Sequence, residues 1–239
     1  MIEYINRETD RIRTLLLSLG ADDCGLVSLG EQPSTPWHIR ANHVLPGVKT
    51  VIVFCRKFPQ YIYDIYEMER YNQDFYNMIS SVDLISQTLA REIKGAGYHA
   101  MAVAADDETE PDMGAISLRH YAVLAGLGSM GKNNLLLTPH FGSMVELGAV
   151  LTDMPLQDDV PIEKEICISG CTRCLQVCPH KALGAGDTKI DLCKETVYIN
   201  ENGDSVSGCW LCRSSCPVNV SLAKKQHIGG KSENSKHKD

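Results

Sequence analysis

The sequence predicts an α/β layer fold over residues 1–155, a small cysteine-rich domain over residues 156–223 and a disordered tail over residues 224–239. In the first region, short runs rich in β-branched residues alternate with segments of helical periodicity, a pattern typical of α/β layers. From about Pro155 the composition changes to cysteine, proline and glycine, and the last region is rich in lysine, serine, glycine and histidine. Such a polar composition is typical of a tail that stays in solvent.

The elements of the first region follow from their local patterns. Ile12, Leu15, Leu16 and Leu19 are spaced by three and four residues, which predicts an amphipathic helix over residues 9–19 that ends at Gly20. Further patterns predict strands over residues 24–27, 50–55, 99–104, 134–137 and 144–152. They also predict one or two helices over residues 64–94 and a helix over residues 115–124.

The composition is that of an ordinary soluble globular protein, since 44% of the 239 residues are hydrophobic and 22% are charged. The net charge of −7 argues against a broad phosphate-binding surface, because nucleic-acid affinity comes largely from clustered lysine and arginine. Residues 1–8 carry charges where a signal peptide needs an apolar core, and no stretch approaches the ~18 apolar residues of a membrane span. We therefore expect a cytoplasmic protein, in a compartment where structural disulfides are rare.

Eight of the ten cysteines form two related motifs in the second region. The first motif is Cys167-x3-Cys171-x2-Cys174-x3-Cys178-Pro179, and the second is Cys193 followed after a gap by Cys209-x2-Cys212-x3-Cys216-Pro217. In two-cluster ferredoxins the cysteine before proline ligates the other cluster, which interlocks the two motifs. We therefore predict two [4Fe–4S] clusters, one held by Cys167, Cys171, Cys174 and Cys216, the other by Cys178, Cys193, Cys209 and Cys212.

Zinc is the main alternative to iron at these motifs. Zinc sites usually consist of two C-x2-C motifs, whereas each motif here has a third cysteine followed by proline. The first spacing departs from the ferredoxin pattern, because three residues separate Cys167 from Cys171 where ferredoxins have two. A bulge at Gly170 would absorb the extra residue. The remaining cysteines, Cys24 and Cys55, lie in apolar runs and are predicted to be small buried hydrophobic residues.

The segment Gly126-Leu127-Gly128-Ser129-Met130-Gly131-Lys132-Asn133 matches two phosphate-loop patterns on paper. It fits G-x-G-x-x-G, but a dinucleotide site needs a strand before the glycines and a helix after them, and the predicted order is reversed. It also approaches G-x4-G-K-[ST], with Asn133 in place of the hydroxyl residue that binds magnesium. Both nucleotide interpretations are disfavoured, and a tight helix-to-strand turn is the structural alternative.

The same segment forms part of a longer pattern that resembles the epoxyqueuosine reductases. The pattern runs through Arg119-His120-Tyr121-Ala122-Val123-Leu124-Ala125 and the glycines to Leu135-Leu136-Leu137-Thr138-Pro139, Phe141-Gly142-Ser143 and Leu147-Gly148-Ala149-Val150-Leu151-Thr152. As in that family, it precedes a double-cluster ferredoxin domain, and the resemblance covers roughly residues 10–220. Together with the related reductive dehalogenases, it implies a nitroreductase-like α/β domain that binds cobalamin, beside a ferredoxin-like domain with two clusters.

In such enzymes the clusters pass single electrons to cobalamin for a reduction. The resemblance implies that the corrin is contacted by Gly126, Gly128, Gly131, Lys132 and Asn133. It also implies Asp112 as the proton donor, since a carboxylic acid whose pKa is raised by burial can protonate a leaving oxygen. The alternative is that Asp112 merely ends the solvated acidic run of residues 106–110. The residues after Gly114 depart from the family pattern, so the resemblance does not identify the residues of the substrate pocket.

Full-length epoxyqueuosine reductases continue into a helical-repeat domain that helps to hold tRNA, and this sequence lacks a counterpart after Cys216. We therefore expect a smaller molecule or a protein-bound substrate rather than tRNA. The other expected partner is an external low-potential electron donor of ferredoxin or flavodoxin type, and no membrane is expected. Two functions follow: a cobalamin-dependent reductase, or an electron-transfer protein that reduces a partner such as a corrinoid protein.

Overall fold

The computed structural model describes residues 1–30, 41–59, 61–62, 68–105, 116–184, 188–203, 205–207 and 209–219. The predicted proton donor Asp112, the acidic run before it and the predicted tail over residues 224–239 lie outside the described residues. The helices are α1 (Ile2–Ser18), α2 (Met68–Gly95), α3 (Leu118–Leu124), α4 (Arg173–Val177), α5 (Ile190–Lys194) and α6 (Leu211–Ser214). The strands are β1 (Asp23–Ser28), β2 (Thr50–Lys57), β3 (Ala100–Val103), β4 (Ser129–Met130), β5 (Leu136–Leu137), β6 (Val145–Thr152), β7 (Val197–Ile199) and β8 (Ser205–Ser207). Within the described part, no helix has the length and hydrophobicity that a bilayer crossing requires.

The chain divides into two compact units, each assembled from three segments. Unit 1 comprises Met1–Phe58, Gln73–Ser129 and Val145–Lys164, and unit 2 comprises Pro59–Asn72, Met130–Met144 and Glu165–Asp239. The domain boundary after residue 155 stays a prediction. Unit 2 takes in two segments that lie before that boundary, and both contact the cysteine-rich part of the chain: the Tyr71 ring packs against Trp210, and the Lys132 ammonium donates to the Cys171 carbonyl.

Unit 1 is built around a four-stranded antiparallel sheet with the strand order β1-β2-β6-β3. Six of the eight residues of β2 and seven of the eight residues of β6 are buried. Runs of valine, isoleucine and leucine fit such positions, because β-branched side chains pack well on a pleated surface. The predicted mixed α/β class is confirmed, and the described pairings in this sheet are all antiparallel.

Helix α1 has the amphipathic face that the spacing predicts, with Ile12 and Leu16 fully buried. It begins at Ile2, earlier than predicted, because the charged residues of its first turns are good helix formers even without an apolar stripe. At its end, Gly20 adopts a left-handed conformation with φ 104°, and the Ala21 N–H donates to the Leu16 carbonyl at 3.1 Å. This geometry is a glycine-terminated helix end of the Schellman type.

Helix α2 buries Val82, Leu89 and Ile93 along one face, as its spacing of seven and four residues predicts. It ends at Gly95, close to the predicted end. The predicted helix over residues 115–124 corresponds to α3 (Leu118–Leu124) among the described residues. The short strand β4 was not predicted, since a serine and a methionine between glycines give no apolar alternation.

Unit 2 consists of short elements. Helices α4 and α6 are in contact with each other, and they carry Cys174 and Cys212 respectively. Strands β7 and β8 form an antiparallel hairpin between the two cysteine motifs. Fully or nearly fully buried apolar side chains are few in this unit among the described residues; they include Leu137, Met144 and Ala182. A unit with so small a core is of the kind that gains stability from bound metal.

Candidate functional site

Four cysteines of the predicted first cluster line one cavity of unit 2. The lining residues are Lys132, Asn133, Leu137, Cys167, Ile168, Cys171, Cys174, Cys216, Pro217 and Val218. Cys216 comes from the second motif, so the structure brings a cysteine from one motif to three from the other. This is the crossed arrangement that the cysteine–proline spacing predicts.

The thiols of this first group lie close enough to influence one another. Burial raises the pKa of Cys174, and the three other thiolates of the group raise it further. Burial likewise raises the pKa of Cys216, although the backbone N–H groups of Val218 and Asn219 lower it in part by hydrogen bonding to the sulfur. Since the thiolate is the metal ligand, these sulfurs are buried acids that a bound cation would favour in the charged form.

The other four cysteines form a second group in the same unit. Burial raises the pKa of Cys193, and the thiolates of Cys209 and Cys178 add to that rise. Burial also raises the pKa of Cys212 to about 11, against the opposing effect of the neighbouring Arg213. Cys193 is exposed, whereas the other seven motif cysteines are partly buried. The second group therefore has the thiol that is most accessible from solvent.

The loops that carry the cysteines are held by local hydrogen bonds. Gly170 has φ 73°, and the Cys171 N–H donates to the Ile168 carbonyl at 3.2 Å. The extra residue of the first spacing is thus taken up in a turn that needs a left-handed residue, for which glycine is suited. In the second group, the Ala182 N–H donates to the Cys178 sulfur at 3.2 Å.

Among the described residues, no group of three or more His, Cys, Asp or Glu side chains is arranged to hold a single metal ion. An iron–sulfur cubane does not need that arrangement, because each cysteine of the set ligates a different iron. The chemistry of the donor sets, two groups of four thiols, therefore fits two cubanes.

The glycine-rich segment crosses from unit 1 into unit 2 at Met130, and its end binds the cysteine loops. The Lys132 ammonium donates to the Ile168 carbonyl at 3.3 Å and to the Cys171 carbonyl at 3.0 Å. The side chain of Asn133 is buried, and its amide nitrogen donates to the Cys212 carbonyl at 3.2 Å. Its amide oxygen accepts from the Leu135 N–H at 3.3 Å. Two consecutive residues thus bind a cysteine carbonyl from each motif.

Two glycines of the segment have structural reasons for lacking a side chain. Gly126 has φ 74°, and a Cβ there would meet the Val160 carbonyl. A Cβ on Gly131 would meet the side chains of Asn133 and Leu137. Of the five residues predicted to contact a corrin, four are therefore engaged within the chain, and Gly128 is simply buried. The role of these five residues as corrin contacts stays a prediction.

Asn219 is a site residue that sequence reasoning missed. It is fully buried, and its amide nitrogen donates to the Ser143 hydroxyl at 3.0 Å and to the Arg213 carbonyl at 2.7 Å. Its side chain thereby ties the chain just after Cys216 to the turn before β6. Its position three residues after Cys216 was the available signal, and nothing in the local pattern distinguishes it from a solvent-exposed asparagine.

The prediction for the two remaining cysteines is confirmed. Cys24 and Cys55 are buried in the neighbouring strands β1 and β2 and are free thiols. Burial raises the pKa of Cys24 to about 11 and raises that of Cys55 further. Both are therefore neutral, small apolar side chains at physiological pH.

Together, the two units define a mixed α/β protein with two interlocked groups of four cysteines. No family model matches the chain. The chain is 27% identical to an epoxyqueuosine reductase of Bacillus cereus over 222 residues, which cover 82% of this chain and 55% of that protein.

Solved structures give the same relationship at the level of the fold. An epoxyqueuosine reductase bound to an epoxyqueuosine-modified tRNA stem loop superposes with a TM-score of 0.62 at 19% identity, covering 90% of this chain and 66% of that one. A reductive dehalogenase from a study of B12-dependent dehalogenation superposes with a TM-score of 0.73 at 17% identity, covering 94% of this chain and 34% of that one. The predicted resemblance to epoxyqueuosine reductases and reductive dehalogenases is confirmed. The chain spans about half the length of the curated relatives it matches.

Proposed function

We propose that this protein is an iron–sulfur oxidoreductase, related to the epoxyqueuosine reductases, with two [4Fe–4S] clusters and cobalamin as cofactors. Cys167, Cys171, Cys174 and Cys216 hold one cluster, and Cys178, Cys193, Cys209 and Cys212 hold the other. The crossed cavity, in which Cys216 joins three cysteines of the first motif, is the observation that carries this proposal. When bound, the clusters would supply single-electron transfer and cobalamin the reducing centre for a substrate.

The chain itself prepares the thiols for ligation. The Ala182 N–H donates to the Cys178 sulfur, and at Cys216 the Val218 and Asn219 N–H groups offset part of the rise in pKa that burial causes. Partial burial of seven of the eight cysteines limits access of water and oxygen to the sulfurs. Hydrogen bonds to ligating sulfurs are also among the features that set the potential of a cluster.

Cobalamin is proposed from the relatives alone, because the predicted corrin contacts other than Gly128 are engaged within the chain. We assign no step to it on the present geometry. Asp112 is proposed as the proton donor of the reaction. A carboxyl buried near a closed site has the raised pKa that this role needs.

We propose a small molecule or a protein-bound group as the substrate, because the net charge of −7 disfavours a broad surface for tRNA. A tRNA stem loop, as bound by the epoxyqueuosine reductase relative, is the competing substrate to be tested. The electrons would come from a low-potential ferredoxin or flavodoxin, and the proposed location is cytoplasmic.

The engagement of Lys132 and Asn133 with the cysteine loops favours a second candidate function. A protein that holds two clusters without a corrin cradle is suited to carry electrons to a partner, for example a corrinoid protein. This candidate shares the clusters with the first and differs in having no substrate chemistry of its own.

Metal and corrin content distinguishes the candidates. The protein is purified without oxygen, reconstituted with iron and sulfide, incubated with cobalamin, and analysed for iron, cobalt and zinc per chain. About eight irons with one cobalt is the result expected for the reductase. The same iron content without cobalt supports the electron carrier, and stoichiometric zinc would exclude both.

The role of Asp112 is tested in the cobalt-loaded protein on two probe substrates, the free epoxyqueuosine nucleoside for the proposed small-molecule substrate and the epoxyqueuosine-modified stem loop for the competing tRNA. Asp112→Asn is expected to retain iron and cobalt and to lose turnover, whereas Asp107→Asn, a neutralisation in the same acidic run, is expected to retain turnover. Equal turnover in the two variants would remove Asp112 from the mechanism. Absence of stem-loop turnover in the unmodified protein would exclude this tRNA as the substrate.

A further inference from the structure

Lys132 has a position that the proposed function does not explain. Among the described residues lining the four-cysteine cavity, it is the one with a basic side chain. Its ammonium group donates to the carbonyl of Cys171, itself a proposed ligand, at 3.0 Å, and to the Ile168 carbonyl at 3.3 Å. A positive charge is therefore fixed at the loop that carries the first group of cysteines.

The neighbouring residue makes an equivalent contact without a charge. The Asn133 amide donates to the carbonyl of Cys212, which belongs to the second group. If the segment served only to fasten the two cysteine loops, a neutral donor would suffice at both positions. The lysine at position 132 therefore adds an electrostatic effect to its hydrogen bonds with the cysteine loop.

The sign of that effect follows from charge balance. Each reduction of a cluster takes one electron from the donor and adds one negative charge to a site that already has four thiolates. A fixed cation stabilises the reduced form more than the oxidised form, because the Coulomb energy grows with the charge of the site. The potential of a cluster rises accordingly, since it depends on net charge and hydrogen bonding around the sulfurs.

We propose that Lys132 is a positioning residue that raises the reduction potential of the cluster held by Cys167, Cys171, Cys174 and Cys216, through its charge and its grip on the Cys171 loop. This inference rests on the proposed clusters, and it assigns to Lys132 a role toward iron and not toward a corrin. Its charge acts more strongly on this cluster than on the other, because its ammonium lies at the loop of the first group and the Coulomb energy falls with distance.

The test compares Lys132→Gln and Lys132→Arg with the unmodified protein, all reconstituted anaerobically. Glutamine can donate hydrogen bonds without a charge, and arginine keeps the charge. The readouts are iron content and the two midpoint potentials, followed by electron paramagnetic resonance during titration with dithionite. Lys94→Gln is the matched control, because it removes one positive charge from an exposed position at the end of α2 in unit 1.

The expected result is that Lys132→Gln keeps full iron content and moves one of the two potentials to more negative values, while the other stays unchanged. Lys132→Arg and Lys94→Gln are expected to leave both potentials as they are. The shift should shrink as ionic strength rises, because salt screens an exposed charge. A purely mechanical role for the side chain would not produce this salt dependence.

Unchanged potentials in Lys132→Gln, or equal shifts of both, would overturn the inference. If Lys132→Gln loses half of its iron, the result for Lys132→Arg distinguishes the two explanations. Full iron content and unchanged potentials in Lys132→Arg would support a requirement for positive charge. The same loss of iron in Lys132→Arg would overturn the inference. An unmodified protein without iron would instead contradict the proposed function, so the two failures are distinguishable.

Discussion

Asn219 and Ser143 are joined by two hydrogen bonds that run in opposite directions. The Ser143 N–H donates to the Asn219 amide oxygen at 2.9 Å, and the Asn219 amide nitrogen donates to the Ser143 hydroxyl at 3.0 Å. The two residues are 76 positions apart in the sequence. Both are buried, so this pair is a rigid connection between the turn before β6 and the end of the second cysteine motif.

Replacing Asn219 with alanine should therefore destabilise unit 2. The change leaves the buried Ser143 N–H without its acceptor and removes the bonds of the amide nitrogen to the Ser143 hydroxyl and the Arg213 carbonyl, which costs about 2–4 kcal/mol. For a protein of this size that corresponds to a melting temperature lower by roughly 4–16 °C, measured by calorimetry on the iron-loaded protein. Asn202→Ala, at an exposed position, is the control and should shift the melting temperature by a small fraction of that. Equal shifts in the two variants would show that the pair does not contribute.

Gly148 in β6 should not tolerate even a methyl group. It lies opposite Phe54 in the sheet register, and a Cβ at this position would meet the side chains of Phe54 and Val82. Both neighbours are fully buried, so the structure cannot yield without repacking. We expect Gly148→Ala to lower the free energy of unfolding by about 1–3 kcal/mol, measured by urea denaturation.

Gly95→Ala is the matched control for this prediction. Gly95 is the last residue of α2, and a Cβ there would have no neighbour within 4 Å. Alanine at such a site restricts the unfolded chain and favours the helix, so the variant should be neutral or more stable by about 0.4–1 kcal/mol. A stability loss of the same size in both variants would contradict the packing argument.

The local pattern of the sequence was enough to predict much of unit 1. The stripe of Ile12 and Leu16 predicts the buried face of α1, and the β-branched runs predict β1, β2 and β6 within two residues of their observed ends. These elements are encoded by periodicity because each has a buried face against the same core. The interlocked cysteine groups were predicted for a different reason, since their spacing follows from the geometry of a metal cluster.

The long-range side-chain contacts could not be predicted in this way. Asn133 binds the carbonyl of Cys212 across 79 positions of sequence, and Lys132 binds that of Cys171 across 39. No periodicity records such pairings, because they depend on how the turn after β4 folds against the cysteine loops. The resemblance to known enzymes led to the prediction that these residues contact a corrin, and the structure gives them partners within unit 2.

The ion pair between Arg13 and Asp159 should depend on the shape of arginine. Both contacts to the carboxylate are short and come from one nitrogen: Nη2 of Arg13 donates to the two Asp159 oxygens at 2.7 and 2.6 Å, while Nη1 donates to the Cys24 carbonyl at 3.2 Å. Asp159 also accepts from the Leu26 N–H at 2.8 Å, so it ties α1 and the segment after β6 to strand β1. The two side chains are 30% and 31% exposed, which limits the contribution of the pair through solvent screening.

We expect Arg13→Lys to lower the free energy of unfolding by about 1 kcal/mol, because one lysine ammonium cannot replace two guanidinium nitrogens, one at the Asp159 carboxylate and one at the Cys24 carbonyl. Arg11→Lys is the control. Arg11 is more exposed and pairs with Glu8 on the surface of the same helix, where such pairs contribute about 0.3–0.5 kcal/mol. Urea denaturation of both variants measures the difference. If Arg11→Lys lowers the free energy of unfolding as much as Arg13→Lys, the geometry of the Arg13 guanidinium does not determine the loss.

Removal of iron should divide the ten cysteines into two classes by their reactivity. In the iron-loaded protein, iodoacetamide is expected to label none of the ten, because eight are proposed ligands and two are buried. After anaerobic chelation of the iron, the motif cysteines should become reactive, with Cys212 the slowest since its pKa is raised to about 11. Cys24 and Cys55 should stay unlabelled in both forms, because burial keeps them as neutral thiols and the thiolate is the nucleophile.

Mass spectrometry of peptides measures the labelling at each cysteine, and protein unfolded in urea is the control in which all ten react. Labelling of the motif cysteines at the same rate with and without iron would contradict their assignment as ligands, whereas labelling of Cys55 in the folded protein would contradict its burial in β2.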